Sequence, residues 1–159
     1  MNRRETLMRI MLLAVGRDRR GPTAELVETY LKRCPWRIEP LEIPQRTQGD
    51  RQRRLAEEAG KIRQALPANA AIVVLDERGE NVTSRDLAAQ IERFRTDGRP
   101  ALAFIIGGAD GLDPSLVETA DKRIAFGRAT WPHRLVKVML AEQLYRASTI
   151  SSGHPYHRD

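Results

Sequence analysis

The sequence predicts an α/β fold with a mostly parallel sheet flanked by helices, and three observations predict it. Apolar runs of strand length recur along the chain, each closed by glycine, proline or a turn cluster: Arg9 to Gly16, Ala70 to Leu75 and Ala101 to Ile106. Between them lie segments whose apolar residues fall at helical spacing. The two kinds alternate from end to end, as strands joined by helical crossovers do. At 159 residues there is room for one domain with a real core and not for two ordinary ones. Residues 9–159 are taken as that domain, and 1–8 as an N-terminal extension in which Met1 to Leu7 have no assigned function.

Each element has its own signal. Arg9 to Val15, closed by Gly16, reads as the first strand. Leu26, Val27, Tyr30 and Leu31 recur at helical spacing after Gly21-Pro22-Thr23, and Cys34-Pro35 stops that helix. Trp36, Ile38, Leu41 and Ile43 form a strand that Pro44 ends. A polar, basic stretch from Gln45 to Arg54 leads into a helix through Leu55, Ala59, Ile62 and Leu66. It is either a solvated face or a phosphate-contacting edge. Ala70 to Leu75 is apolar throughout, as a strand buried on both faces must be, and Asp76-Glu77-Arg78-Gly79 bounds it. Ser84 is placed as the cap of a helix through Leu87, Ile91 and Phe94 to Asp97-Gly98. Ala101 to Ile106 is a further buried strand; Asp113-Pro114 opens a helix, because proline is pre-organised for the first helical position. Arg123 to Phe126 reads as a short strand and Pro132 to Ser148 as the last helix.

Composition narrows the function classes. No apolar run approaches the eighteen or so residues of a membrane-spanning helix, and the N-terminus lacks the apolar core of a signal peptide. A cytoplasmic protein without a membrane partner is expected. Cys34 is the single cysteine, so no internal disulfide forms and a structural zinc site is disfavoured; it reads as a packing residue near a helix end. Basic residues number 27 against 21 acidic, for a net charge of +6, and all but four of the 27 are arginine. This balance favours a polyanionic partner, and arginine suits bidentate phosphate contacts and base stacking.

In parallel sheets ligands bind outside the carboxyl ends of the strands, which selects the loops after Leu75, Ile106 and Phe126. Gly107 and Gly108 let backbone approach a ligand closely, but their spacing matches neither a Walker A loop nor a dinucleotide fingerprint. Histidines and carboxylates do not occur at the close helical spacings of catalytic metal sites, so no metal is expected. Two of the three histidines fall in the tail, Gly153-His154-Pro155-Tyr156-His157-Arg158-Asp159. This polar density is unusual for a chain end, which is ordinarily frayed; it combines a stacking ring, a titratable group and a phosphate or carbonyl donor.

Five blocks, read in order, resemble one family. They are Leu75 to Gly79, Phe104 to Leu112, Thr130-Trp131-Pro132-His133, Glu142 to Ala147, and His154-Pro155-Tyr156-His157-Arg158. Together they resemble the RlmH family of ribosomal RNA large-subunit (pseudouridine-N3)-methyltransferases, of the SPOUT superfamily, over nearly the whole chain from about Arg9 to Asp159. The last two blocks are the specific ones; the glycine turn alone is common.

The resemblance implies a deep C-terminal trefoil knot, which connection rules otherwise disfavour, and a homodimer. It implies S-adenosyl-L-methionine as cofactor, held by Leu75, Gly107, Phe126, Gly127, Arg128, Ala129, Thr130 and Trp131. It also implies methyl transfer to N3 of a pseudouridine in 23S ribosomal RNA, within the assembled ribosome. His133, Arg146, Tyr156, His157 and Arg158 are taken as the candidate catalytic group. The polar density of the tail motivates the reading that Tyr156, His157 and Arg158 close over the target base, with Arg146 contacting nearby RNA or orienting the tail; His157 and His133 are alternative proton acceptors, and His133 serves equally to satisfy the helix end or the knot. Glu142 and Arg146, four residues apart, face one another on the last helix. Two competing readings stay open: a SPOUT enzyme with another RNA target, and a non-catalytic RNA-binding factor of ribosome assembly.

Overall fold

A computed structural model describes residues 8–158, so the reading of Met1 to Leu7, and Asp159, lie outside the described residues. Five strands form one wholly parallel sheet: β1 (Arg9–Val15), β2 (Ile38–Ile43), β3 (Ala71–Asn81), β4 (Ala101–Ile106) and β5 (Lys122–Ala125), in the order β2-β1-β4-β3-β5. Five helices connect and follow them: α1 (Pro22–Arg33), α2 (Arg51–Ala65), α3 (Ser84–Thr96), α4 (Pro114–Thr119) and α5 (His133–Ser152).

The period-2 geometry of strands divides the central apolar runs between two cores. Ile10, Leu12, Ala14, Leu102, Phe104 and Ile106 face one side, where Leu87, Ile91 and Phe94 of α3 and Leu140 and Leu144 of α5 cover them. Met11, Leu13, Val15, Ala103 and Ile105 face the other, against Ala59 and Ile62 of α2 and Leu116 of α4. Met8 is buried in the first of these cores. Cys34, at the end of α1, is buried as a packing residue, and burial raises its thiol above the ordinary range, which keeps it un-ionised.

Three expectations need correction. The cap of α3 is Thr83, not Ser84. The Thr83 hydroxyl accepts from the Asp86 N–H while the Asp86 carboxylate accepts from the Thr83 N–H, a reciprocal box that closes two otherwise orphaned donors. Ser84 is the first helical residue and donates its hydroxyl to Gln143 Oε1 on α5 at 2.7 Å. Second, α5 runs one turn beyond Ser148 and ends at Gly153, whose φ of 72° provides the left-handed stop.

Third, Asp76 to Gly79 do not end β3. Leu75 and Glu80 both pair with Ile124 of β5, so the four residues between them form an excursion within the strand, and pairing resumes through Asn81. The Asp76 carboxylate accepts the Arg78 N–H at 3.0 Å and closes this turn. Gly79 is what permits the return: a Cβ there would lie 2.7 Å from backbone atoms of Ile124. A turn-forming composition predicts a change of direction but does not say whether the strand resumes after it.

Candidate active site

The strand order fixes where a ligand fits. From β1 the chain leaves through α1 toward β2, and from β4 it leaves through α4 toward β5 on the opposite side. The carboxyl ends of β1 and β4 therefore flank a switch point, where a crevice opens because the two connections diverge. A cleft of about 1000 Å³ lies at this edge of the sheet, toward β3 and β5.

One wall is the glycine turn after β4. Gly111 N–H donates to Gly108 O at 3.0 Å, and Gly111 adopts φ 81°, which a residue with a side chain seldom does. The turn is tight enough that a Cβ on Gly107 would sit 2.6 Å from the carbonyl carbon and oxygen of Gly111. The facing wall is the segment between β5 and α5. Trp131 donates its indole N–H to Phe126 O at 3.1 Å, and the Thr130 hydroxyl donates to Glu77 Oε2 at 2.8 Å, so the segment is tied to itself and to the excursion in β3. Asp76 is paired with Arg123 of β5 at 3.6 Å.

Seven of the eight residues expected to hold a cofactor line this cleft: Leu75, Gly107, Phe126, Gly127, Ala129, Thr130 and Trp131. Arg128 is exposed and outside its lining. Phe126 is half-buried against the core, whereas Trp131 is 44% exposed and so is not a packing residue in this chain. His133 lines the cleft as the first residue of α5. Its imidazole Nε2 approaches Gly16 at the end of β1, within 4.0 Å of where a Cβ would be. Pro132, the helix cap, offers no side-chain acceptor, so the α5 N-terminus presents its positive end toward the cleft.

The tail forms a second cluster, away from the cleft lining. Arg146 donates to Glu142 Oε1 from Nε at 3.0 Å and from Nη2 at 2.6 Å, and the Tyr156 hydroxyl donates to the same oxygen at 3.1 Å. The Arg146 guanidinium lies 4.9 Å from the Tyr156 ring centroid, and the Tyr145 ring is 4.6 Å from that of Tyr156. Burial and then the Glu142 charge raise the Tyr156 phenol, which therefore stays neutral and a donor. Arg146 is raised chiefly by its hydrogen bond to Glu142. Arg146 and Tyr156 are thus held together at the far half of α5, and none of Arg146, Tyr156, His157 and Arg158 lines the cleft.

Sequence reasoning missed the brace behind the glycine turn. Arg54, on the first turn of α2, donates to Asp110 Oδ2 from Nε at 3.3 Å and from Nη2 at 3.1 Å, and its Nη1 donates to Gly49 O at 2.8 Å. Arg51 Nη2 donates to the Asp110 carbonyl at 2.8 Å. Of the basic stretch of residues 46–54, Arg54 turns inward, while Arg46 and Arg53 pair with Glu57 at the surface. Partners 56 residues apart leave no periodicity to read. Since Gly107 and Asp110 share one turn, Arg54→Ala is expected to weaken binding of a ligand in the cleft. One charged hydrogen-bond pair is worth about 1.5 kcal/mol, which corresponds to roughly tenfold in affinity. Calorimetric titration of wild type, Arg54→Ala and Arg54→Lys checks this, with the lysine variant intermediate.

A parallel α/β domain with a glycine-walled cleft at the carboxyl edge of its sheet is a small-ligand-binding domain of the kind that serves group-transfer enzymes. The family model described as "Predicted SPOUT methyltransferase" matches residues 8–157, and the chain belongs to that family. Among curated relatives, "Ribosomal RNA large subunit methyltransferase H" of Bradyrhizobium sp. is 48% identical over 159 residues, covering 95% of this chain and 99% of the relative. The protein of the same name from Paracoccus denitrificans is 47% identical over 156 residues, covering 96% and 100%. Among solved structures, a probable methyltransferase from Bordetella pertussis Tohama I shares the fold with a TM-score of 0.58 at 15% identity, covering 91% of this chain and 96% of its own.

Proposed function

We propose that this chain transfers a methyl group from S-adenosyl-L-methionine to N3 of a pseudouridine in large-subunit ribosomal RNA, acting as a homodimer on the assembled ribosome in the cytoplasm. The observation that carries the reading is the cleft. Leu75, Gly107, the Phe126 to Trp131 segment and His133 converge there, in a chain that matches relatives named as large-subunit ribosomal RNA methyltransferases over nearly their full length.

The residues present fit the cofactor. The cleft lies at the upper end of the usual range for ligand sites, roughly 300 to 1000 Å³. Leu75 and Phe126 offer apolar cover, and Gly107 leaves backbone open to a purine edge. Glu77 and Glu118 among the lining residues put negative charge near a cationic ligand, and the α5 N-terminus favours a carboxylate. When bound, the cofactor supplies an electrophilic methyl group on sulfur. The protein must hold N3 in line with that methyl, which positioning alone accelerates strongly, and must accept the N3 proton as the N–C bond forms. His133 lines the cleft as the first residue of α5 and is the assigned acceptor of that proton. His157 serves this role instead only if the tail reaches a cleft.

Dimerisation answers that geometry. The tail cluster does not line its own cleft, Leu26 of α1 and Leu135 of α5 are exposed on helices that pack together, and a two-fold partner seated there is the assigned source of a second tail for the cleft. The trefoil knot goes with family membership. No helix of the described residues is long and apolar enough to cross a membrane.

The test is methyl transfer from labelled cofactor to 70S ribosomes, separated subunits and naked RNA, with the product base identified by mass spectrometry. N3-methylpseudouridine in large-subunit RNA is expected. Methylation of a different nucleotide moves the target, and cofactor binding without transfer to any RNA overturns the assigned reaction.

A further inference from the structure

Beside the cleft, the loop joining β1 to α1 carries Arg17, Asp18, Arg19 and Arg20 between two glycines in left-handed conformation, Gly16 at φ 100° and Gly21 at φ 99°. The loop is held in place from both sides. Gly16 N–H donates to Ile43 O at 2.8 Å, and Arg134, next to His133 on α5, donates from Nη2 to Arg17 O at 3.3 Å. Gly16 itself lies against the His133 imidazole. Three loop arginines and Arg134 are therefore gathered on the rim of the cleft, on the side where α5 begins.

Their charge is available. Asp18, the one carboxylate within the loop, accepts the Thr23 hydroxyl. Arg17, Arg20 and Arg134 are exposed and make no ion pair among the described residues, and Arg19, its side chain 68% exposed, reaches Glu42 only at 3.9 Å. The basic stretch of residues 46–54, which composition marks as the phosphate-contacting candidate, is more neutralised: Arg54 is paired with Asp110, and Arg46 and Arg53 share Glu57 at 3.6 and 3.3 Å, closer than Arg19 stands to Glu42. A pinned loop that displays exposed planar cations beside a transfer site, three of the four without an ion pair among the described residues, offers the fork geometry that binds phosphate oxygens.

We propose that Arg17, Arg19, Arg20 and Arg134 form the edge that seats the RNA backbone flanking the target base, and that this edge, not the α2 arginines, provides most of the salt-dependent affinity. The proposal rests on the RNA-methyltransferase reading and names where its substrate docks.

The experiment compares wild-type protein, the triple variant Arg17→Gln/Arg19→Gln/Arg20→Gln and the charge-preserving triple variant Arg17→Lys/Arg19→Lys/Arg20→Lys. Binding to 70S ribosomes is measured between 50 and 200 mM salt, together with KM and kcat for methyl transfer and the Kd for cofactor. Removing one arginine–phosphate pair reduces the slope of log K against log salt by about 0.7 to 0.9, so the glutamine variant should lose a slope of about 2. Its KM for ribosomes should rise roughly tenfold or more, while kcat and cofactor Kd stay within about twofold; the lysine variant should keep the wild-type slope. An unchanged slope and KM in the glutamine variant, with wild type methylating normally, overturns the edge and leaves the reaction standing. A reduced slope in the glutamine variant, with no methyl transferred by any of the three proteins, upholds the edge and overturns the reaction.

Discussion

Removing the last four residues, Tyr156 to Asp159, is expected to abolish methyl transfer, with a fall in kcat of about a thousandfold or more, while cofactor affinity changes by no more than a fewfold. The two effects separate because the cleft lining includes no tail residue, whereas the tail carries the densest polar chemistry outside the cleft. Tyr156 is the anchor. Its hydroxyl and the Arg146 guanidinium share Glu142 Oε1, and its ring lies between Arg146 and Tyr145. Losing Tyr156 removes one hydrogen bond to a charged group, worth about 1.5 to 3 kcal/mol, an aromatic pair of about 1 kcal/mol and a cation–π contact of about 0.5 to 1 kcal/mol. A domain whose two cores are otherwise intact tolerates that loss. Thermal unfolding therefore accompanies the kinetics, and a folded, cofactor-binding, inactive protein is the expected result. Tyr156→Phe keeps the ring and loses only the bond to Glu142, so it should retain measurable activity. A truncated enzyme that methylates at the wild-type rate refutes the tail's role in catalysis.

What the sequence made legible follows the range over which each signal acts. Strand runs such as Ala101 to Ile106 and helix stops such as Cys34-Pro35 depend on adjacent residues, and these elements stand where periodicity places them. The loops after β4 and β5 were selected by a rule about parallel sheets, which needs only the order of element types. The errors occur where tertiary contact decides. Asp76 to Gly79 has the composition of a turn, yet β3 resumes because β5 lies alongside and Gly79 fits against Ile124. Ser84 and Thr83 are both capping residues, and the choice falls to Thr83 because Asp86, three residues on, completes the box. The Arg54–Asp110 brace and the distance between the tail and its own cleft are long-range facts that no local pattern contains. The resemblance grouped His133 with Arg146, Tyr156, His157 and Arg158; the fold places His133 at one end of α5 and the others toward the opposite end.

The glycine turn supports the sharpest prediction about the cofactor. In Gly107→Ala, the new methyl group would overlap the carbonyl carbon and oxygen of Gly111 at 2.6 Å, a separation that backbone atoms do not adopt. A flexible side chain could swing aside, but here the obstacle is main chain. That main chain has little freedom, because the turn is closed by Gly111 N–H to Gly108 O and braced at Asp110 by Arg51 and Arg54. The turn must therefore open on its cleft side, so cofactor affinity should fall by about a hundredfold or more, a loss of at least about 2.8 kcal/mol. Stability should fall much less, because the turn lies at the edge of the sheet and the core residues of β4 stay buried. Gly60, within α2, provides the control: a Cβ there meets nothing within 4 Å, so Gly60→Ala should stabilise the protein by about 0.5 to 1 kcal/mol and leave cofactor affinity unchanged. Calorimetric titration of both variants with the cofactor or its demethylated product, beside thermal unfolding, decides the matter. If Gly107→Ala binds as tightly as Gly60→Ala, the glycine turn is not the wall of the cofactor site, and the cofactor must lie against the Phe126 to Trp131 segment alone.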